Sequence, residues 1–291
     1  MKIGMTLPTM ARGYTRDTTV AWCRQIEAGP YASLSAGERI TYHNQEQLVI
    51  LSAAAALTER VRIIATIVIL PMHPVALVAK QAATLDVLSA GRFTLGLGVG
   101  GRAHDYQAAG TTFDRRLPRL DESVAAIRRL WAGEVPFEGA DPVGPAVVQP
   151  GGPPLWCSSF GPKSLARGSR WADGYAGFTV GGDRAELETT AATVRQAWLD
   201  SGRTVAPYLM GGGWFSLGPD AAERHRAYVE EYVRIDPSMS FMADVATIVG
   251  DDAVRRALDN AEAAGYDEFM LVPTTTDLAE LDRLEAVLDQ R

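Results

Sequence analysis

Residues 91–101 read Gly91-Arg92-Phe93-Thr94-Leu95-Gly96-Leu97-Gly98-Val99-Gly100-Gly101, a β run that ends in glycine. Gly96, Gly98 and Gly101 match the pattern GxGxxG formally, and the fold turns on whether they form a dinucleotide loop. Such a loop belongs in the first β-α unit of an open sheet, with a helix opening directly behind it. Here the motif lies in the fourth unit, and Pro118 with a charged loop stands before the next helix. The glycines therefore read as a strand that leaves room either for a flat group or for a neighbouring strand.

Working outward from this stretch, three β-α units precede it. Lys2 to Leu7, Tyr31 to Ala36 and Ile63 to Leu70 read as strands, and Thr18 to Glu27, Gln45 to Thr58 and His73 to Leu88 as their helices. Ile63 to Leu70 is almost all β-branched or leucine, as a strand buried on both faces requires. Phe93 to Gly98 pairs with a helix over Leu120 to Trp131. Glu134 to Pro154 is rich in proline and glycine and reads as a loop. Beyond it, Leu155 to Ser159, Gly174 to Phe178, Tyr208 to Leu217 and Glu268 to Val272 supply four more strands. Their helices fall at Lys163 to Ala172, Arg184 to Asp200, Ala221 to Val233 and Leu278 to Leu288, with an extra one at Asp252 to Ala264. Eight β-α units close naturally into an α/β fold of the (β/α)8 TIM barrel type, one domain over residues 1–291 with a Pro/Gly-rich loop at 134–154. A six-stranded open sheet with a helical domain is the alternative.

Composition narrows the function. Of 291 residues 47% are hydrophobic and 22% charged, which excludes disordered and collagen-like chains. A net charge of -7 offers no field for a polyanion, so nucleic acid is not expected as a partner. Cys23 and Cys157 stand far from each other and from any histidine cluster, so no metal is expected and a reducing cytoplasm fits. The N-terminus reaches Pro8 before any apolar stretch of signal length, and the apolar runs 48–57 and 63–70 are too short to span a bilayer.

In a barrel of this kind the chemistry sits at the C-terminal strand ends. Three segments there carry it. Ser158-Ser159-Phe160-Gly161-Pro162-Lys163 runs from strand five into a helix whose first N–H groups and positive end suit a phosphate. Gly37-Glu38-Arg39-Ile40-Thr41-Tyr42-His43-Asn44, after strand two, gathers an acid, a base and proton-shuttling groups. Arg102-Ala103-His104-Asp105-Tyr106, after strand four, repeats the mixture. Glu38 is expected to pair with an arginine across the mouth, His43 or His104 to donate a proton, and His73 to cap a helix or loop. No zinc triad, GxSxG elbow or P-loop occurs.

Taken together, these residues resemble the bacterial luciferase-like family of flavin- and deazaflavin-dependent oxidoreductases. The resemblance is carried by Thr58 to Ile63, Pro74 to Asp86, Ser89 to Gly101, and Pro153 to Tyr175 with Gly161-Pro162 and Trp171-Ala172-Asp173-Gly174. It implies a luciferase-like barrel in which reduced FMN or coenzyme F420 lies across the strand ends. Its phosphate would contact Ser158, Ser159, Phe160 and Gly161, and its ring or ribityl chain Thr6, Glu38, Gly98, Val99 and Gly100. Thr66, Ile67 and Val68 occupy the place where the family often bends strand three through a bulge, sometimes with a non-proline cis peptide. Tyr42, Arg102 and Tyr106 are the substrate-facing candidates, and Glu38, Arg39, His43 and His104 the catalytic ones.

The resemblance also implies reduction or oxygenation of a small organic substrate, fed in some members by a separate flavin or F420 reductase. The alternative is a non-catalytic flavin-binding or partner subunit of a heteromer. Two departures stand out. Arg39 follows the acid where many members have histidine, and Gly101-Arg102 stand where a deazaflavin sugar-phosphate dehydrogenase has an acid. A homodimer is expected through the second and third helices, with Ala54→Arg splitting it.

Overall fold

The computed structural model describes residues 1–159 and 161–291; the expected phosphate contact Phe160 lies outside the described residues. Eight short runs of β-branched and apolar residues become the strands β1 (Lys2–Thr6), β2 (Ser33–Ala36), β3 (Arg62–Ile69), β4 (Phe93–Gly98), β5 (Leu155–Cys157), β6 (Gly174–Ala176), β7 (Tyr208–Phe215) and β8 (Glu268–Pro273). All neighbours pair in parallel, and β1 closes on β8 with Lys2 opposite Glu268, so the sheet is a closed barrel and the open-sheet alternative falls.

The crossovers supply α1 (Arg16–Ala28), α2 (Gln47–Leu57), α3 (Val75–Leu88), α4 (Ala103–Ala108), α5 (Arg116–Trp131), α6 (Pro162–Gly168), α7 (Arg184–Asp200), α8 (Ala221–Val233), α9 (Met242–Val245), α10 (Asp251–Ala263) and α11 (Ala279–Leu288). Four differ from expectation, among them the four-residue α9, which is too short to show a helical period. The short α4 stands where a loop was read, because six residues are too few to show a helical period. Helix α5 starts at Arg116, with Pro118 inside its first turn, where a missing N–H costs no hydrogen bond. Helix α6 stops at Gly168, whose backbone is pressed so close to Cys157 that an added Cβ would lie 2.7 Å from its Sγ.

The glycines of β4 answer to β3. Between Ala65 and Val68 the register of β3 slips against β4: Ala65 faces Leu95 and Val68 faces Leu97, and the Thr66–Ile67 peptide is cis. A Cβ on Gly96 would collide with the Ala65 carbonyl oxygen, and one on Gly98 with the end of the Ile67 side chain. The room these glycines leave is thus filled by the bulge of β3, not by a flat ring. Ile67 in turn packs on the barrel's inner cluster of Ile64, Trp156, Ala176, Met210 and Met270.

The N-terminal end of the barrel is sealed. Glu268, fully buried, accepts hydrogen bonds from Ser33, from the Arg62 guanidinium and, at 2.8 Å, from the Tyr208 hydroxyl. The guanidinium of Arg62 lies over the rings of Tyr208 and Trp156, which stack on each other with centroids 5.0 Å apart.

Residues 134–154 contain no helix or strand, yet they are fixed at one end. Buried Asp86 of α3 accepts from Val148 N at 2.6 Å, Gln149 N at 3.0 Å and Gln149 Nε2 at 2.7 Å. On the outer ring Ala54 is wholly buried against the barrel, so arginine there disrupts packing and does not probe association. The outward positions are Val49 and Ala53 on α2 and Leu77, Val87 and Leu88 on α3. Among the described residues no helix is long and apolar enough to cross a membrane.

Candidate active site

At the C-terminal rim partly exposed residues appear at different heights on three adjacent strands. On β3 they are Thr66 and Ile67 at the bulge, opposite Gly96, after which Val68 and Ile69 are buried again beside Leu97 and Gly98; past β4 they are Val99 and Gly100, and past β5 Ser158 and Ser159. The end of the Ile67 side chain reaches Gly98, and Ser159 precedes the N-terminus of α6. Gly161 is the N-cap there, with extended backbone and no side-chain cap, and Pro162 opens the first turn. Ser159 and Ser164 share a hydrogen bond between their hydroxyls, and the Tyr175 hydroxyl donates to the Ser159 carbonyl at 3.0 Å, which holds the turn in place.

Two other expected contacts are committed within the protein. The Thr6 hydroxyl is buried and hydrogen-bonded to that of Ser35 at 2.8 Å, tying β1 to β2. Val68 is buried within β3.

The acid that ends β2 does not pair with an arginine. Glu38 accepts from the Ile69 N–H at 2.6 Å and from His73 Nε2 at 2.7 Å, so it locks the β2 loop to the end of β3. His73 does cap, its N–H donating to the Leu70 carbonyl at 3.1 Å to end the short turn Leu70–Met72, and its side chain is the partner of Glu38. Burial pulls the His73 pKa down, but the hydrogen bond and charge of Glu38 more than offset this, and the net shift is upward. With both carboxylate oxygens engaged and its side chain buried, Glu38 orders the mouth.

Arg39 turns the other way. Its buried guanidinium lies 4.3 Å from the ring centroid of Tyr42 and 5.3 Å from that of Tyr232 on α8, and Nη1 donates to the Tyr232 carbonyl at 3.2 Å. That carbonyl is one of the last of α8, where the helix dipole favours a cation. Asp105 of α4 stands 3.8 Å from Arg39 Nε, and its other oxygen accepts from Thr41 N at 2.7 Å and Thr41 Oγ1 at 2.5 Å. Arg102 covers Tyr232 at 4.7 Å. Burial lowers the Arg39 pKa, the neighbouring charge of Arg102 lowers it further, and Tyr232 and Asp105 act against both.

The remaining sequence candidates separate. His43 is exposed, lies with its ring centroid 4.2 Å from that of Tyr42 at a 35° tilt, and approaches the Met10 carbonyl through Nε2 at 3.1 Å. A carbonyl only accepts, so Nε2 carries the proton of the neutral ring and Nδ1 is its free acceptor. His104 is exposed too, on a depression of about 340 Å³ shared with Thr41, Gln107, Ala108 and Ile235. Tyr106 is not at the surface of the mouth. It is buried against Ile69 and Met72, and its hydroxyl donates to the Val99 carbonyl at 2.7 Å, so it shapes the end of β4 and does not face substrate. Asp105, His73 and Tyr232 were missed as site residues. Asp105 was legible as the acid of one rim loop opposite Arg39 in the other; nothing local marks Tyr232. A second depression, lined by Ile3, Pro30, Asp259, Glu262, Leu288 and Arg291, lies at the sealed end of the barrel, away from these groups. Among the described residues no cluster of His, Cys, Asp or Glu could hold a metal ion.

A parallel eight-stranded barrel with a bulged third strand, a glycine-rich fourth strand and an open turn after the fifth can be compared with known proteins. The sequence profile of the luciferase-like monooxygenases matches residues 1–274. The chain belongs to that family. As a luciferase-like monooxygenase family member it is an oxidoreductase. The pyrimidine monooxygenase RutA of Enterobacter cloacae is 30% identical over 266 residues, covering 84% of this chain and 71% of that protein. Two solved structures share the fold. An F420-dependent secondary alcohol dehydrogenase with an F420-acetone adduct superposes with a TM-score of 0.79 at 18% identity, over 98% of this chain and 97% of that one. The oxygenating constituent of 3,6-diketocamphane monooxygenase from Pseudomonas putida, in complex with FMN, gives 0.72 at 16% identity, over 99% and 96%.

Proposed function

We propose that this luciferase-like protein holds reduced FMN or coenzyme F420 across the ends of β3, β4 and β5 and reduces or oxygenates a small organic substrate at the barrel mouth. The observation that carries the reading is the set of partly exposed residues at the β3 bulge (Thr66–Ile67) and past the ends of β4 and β5 (Val99–Gly100 and Ser158–Ser159), close to the uncapped N-terminus of α6. In this reading the tricycle lies against Ile67 and Val99 and the phosphate at Ser158, Ser159 and Gly161. The solved relatives with F420 and with FMN support both cofactors as candidates. When bound, the reduced ring supplies the electrons. The protein's part is to seat the phosphate, hold the ring against the β3 bulge and order the mouth through Glu38 and His73. Arg39, Asp105, Arg102, Tyr42 and His43 make the mouth polar, which favours an enzyme over a non-catalytic subunit. Titrating the apoprotein with FMN and F420 in parallel, followed by fluorescence quenching, tests the reading; failure of both to bind refutes it. If oxidised cofactor leaves the site between turnovers, a separate reductase is the partner that regenerates it. The two free cysteines are buried, in keeping with work in a reducing cytoplasm.

His43 is the proton donor in this reading, giving the proton from Nδ1 of the protonated ring while Nε2–H stays on the Met10 carbonyl. His43→Ala is expected to lower turnover by about a hundredfold with cofactor affinity unchanged, since general acid catalysis acts in the transition state. Steady-state kinetics beside a cofactor titration check this. An unchanged turnover transfers the role to His104.

Association is the second part. The exposed apolar face formed by Val49 and Ala53 of α2 with Leu77, Val87 and Leu88 of α3 supports a homodimer. Sedimentation velocity at micromolar concentration should show the wild type as a dimer and Ala53→Arg as a monomer with unchanged circular dichroism. A monomeric wild type removes the interface.

A further inference from the structure

Three polar atoms meet beside the mouth in a loose ion pair without a hydrogen bond. Arg39 Nε, Arg39 Nη2 and Asp105 Oδ2 are buried and have no hydrogen-bond partner among the described residues. An unmet buried donor or acceptor costs about 1–3 kcal/mol, more where it is charged. Asp105 does not close the gap to Arg39 because its other oxygen is held by two bonds from Thr41, which keep the nearest N···O separation at 3.8 Å. Arg39 does not close it either. Its guanidinium is fixed by the rings of Tyr42 and Tyr232 and by the bond from Nη1.

The unmet atoms have a definite complement. Nε and Nη2 form the side edge of the guanidinium, the edge that presents two parallel N–H groups. Beside that edge Asp105 Oδ2 can only accept. The partner must therefore bear an acceptor next to a donor in one plane. A carbonyl oxygen and the nitrogen of the same amide stand about 2.2 Å apart, by standard bond lengths. With hydrogen bonds of about 2.9 Å on either side, such an edge bridges a gap of the size found between Nε and Oδ2. A carboxylate satisfies the arginine but sets a second acceptor against Asp105.

We propose that Arg39 and Asp105 form the substrate-recognition pair of the mouth and that they read the planar C(=O)–NH edge of a cyclic amide or imide. The proposal rests on the reading of the mouth as a substrate chamber. Arg39 donates to the carbonyl oxygen and Asp105 accepts from the ring N–H. The approach in this proposal is from the depression lined by His104, Gln107, Ala108, Ile235 and Thr41, the residue that bonds Asp105. Both side chains are shielded from solvent, so binding displaces part of their cover.

The test uses 2-pyridone, N-methyl-2-pyridone and benzoate as probes, titrated by ligand-observed NMR into protein saturated with whichever of FMN and F420 binds. 2-Pyridone should bind at least about tenfold more tightly than either other probe, the loss expected for one charge-assisted hydrogen bond. Asp105→Asn keeps an oxygen for Thr41 and turns the free acceptor into a donor, so the order should reverse in favour of benzoate. Arg39→Met should weaken all three probes and erase the preference. Equal affinities for 2-pyridone and its N-methyl derivative, no binding of 2-pyridone at millimolar concentration, or an unchanged order in Asp105→Asn overturns the proposal. Cofactor quenching in the same samples separates the two failures. A protein that binds cofactor without the preference refutes the recognition pair alone, whereas one that binds neither cofactor refutes the chamber.

Discussion

Replacing Gly161 by aspartate will lower affinity for FMN or F420 by about a hundredfold and leave the barrel folded, because a like charge set against a phosphate costs several kcal/mol. The position tolerates the side chain. The backbone at Gly161 is extended, and the nearest atom to an added Cβ is Ser164 Oγ at 3.8 Å. Aspartate is moreover a favoured N-cap, so α6 should gain a few tenths of a kcal/mol relative to glycine. The two effects have opposite signs, which makes the variant a clean probe: thermal melting reports the fold and fluorescence quenching reports the site. Riboflavin, which has the ring and chain of FMN without its phosphate, should bind wild type and variant alike. Unchanged FMN and F420 affinity in Gly161→Asp would remove the phosphate from this turn.

The second large effect lies at the other end of the barrel. Glu268→Ala leaves the guanidinium of Arg62 and the hydroxyls of Ser33 and Tyr208 without their shared acceptor. Removing one partner of a buried ion pair costs about 3–5 kcal/mol, because the other charge stays behind in a poor solvent. Arg62 keeps 28% of its side chain exposed, which places the expected loss toward the lower figure. Urea denaturation should show an earlier midpoint with an unchanged slope. Glu268→Gln, which preserves volume and two of the three bonds, should lose less, and Arg62→Met in the Glu268→Ala background should recover part of the loss. Equal stability of wild type and Glu268→Ala would mean that the network contributes nothing to the closed floor. Cofactor binding, at the far rim, should be indifferent to all of these changes.

The barrel was legible because its signal is repeated and local. Eight apolar runs alternate with helical periods, and the fourth unit is spaced wrongly for a dinucleotide loop. The site was legible only where its parts are close in sequence. Ser158 to Pro162 announces an open helix start within five residues. The bulge of β3 was placed at Thr66 to Val68 through the family resemblance, and the register shift and cis peptide are there. The purpose of Gly96 and Gly98 stayed open in the sequence because a missing Cβ looks the same whether a ligand or the next strand fills the gap. Glu38 was given an arginine since two arginines flank the rim loops, yet the bulge brings His73 within 2.7 Å instead. Tyr232 was beyond reach. It meets Arg39 only because the closed barrel carries the end of α8 over the β2 loop, a contact between residues 193 positions apart.

The clamp of Asp86 on the proline-rich segment bears on how this fold changes length over time. Asp86 receives backbone N–H groups of residues 148 and 149, so the grip depends little on the side chains that precede them. From Glu134 to Asp141 the chain is almost wholly exposed, Phe137 keeps 70% of its surface, and an added Cβ on Gly139 meets nothing within 4 Å. Insertions there lengthen a tether whose far end is already fixed, and loop closure grows only logarithmically more costly with length. A descendant of this chain can thus acquire a new segment, even a small folded module, between α5 and β5 without any strand changing its neighbour.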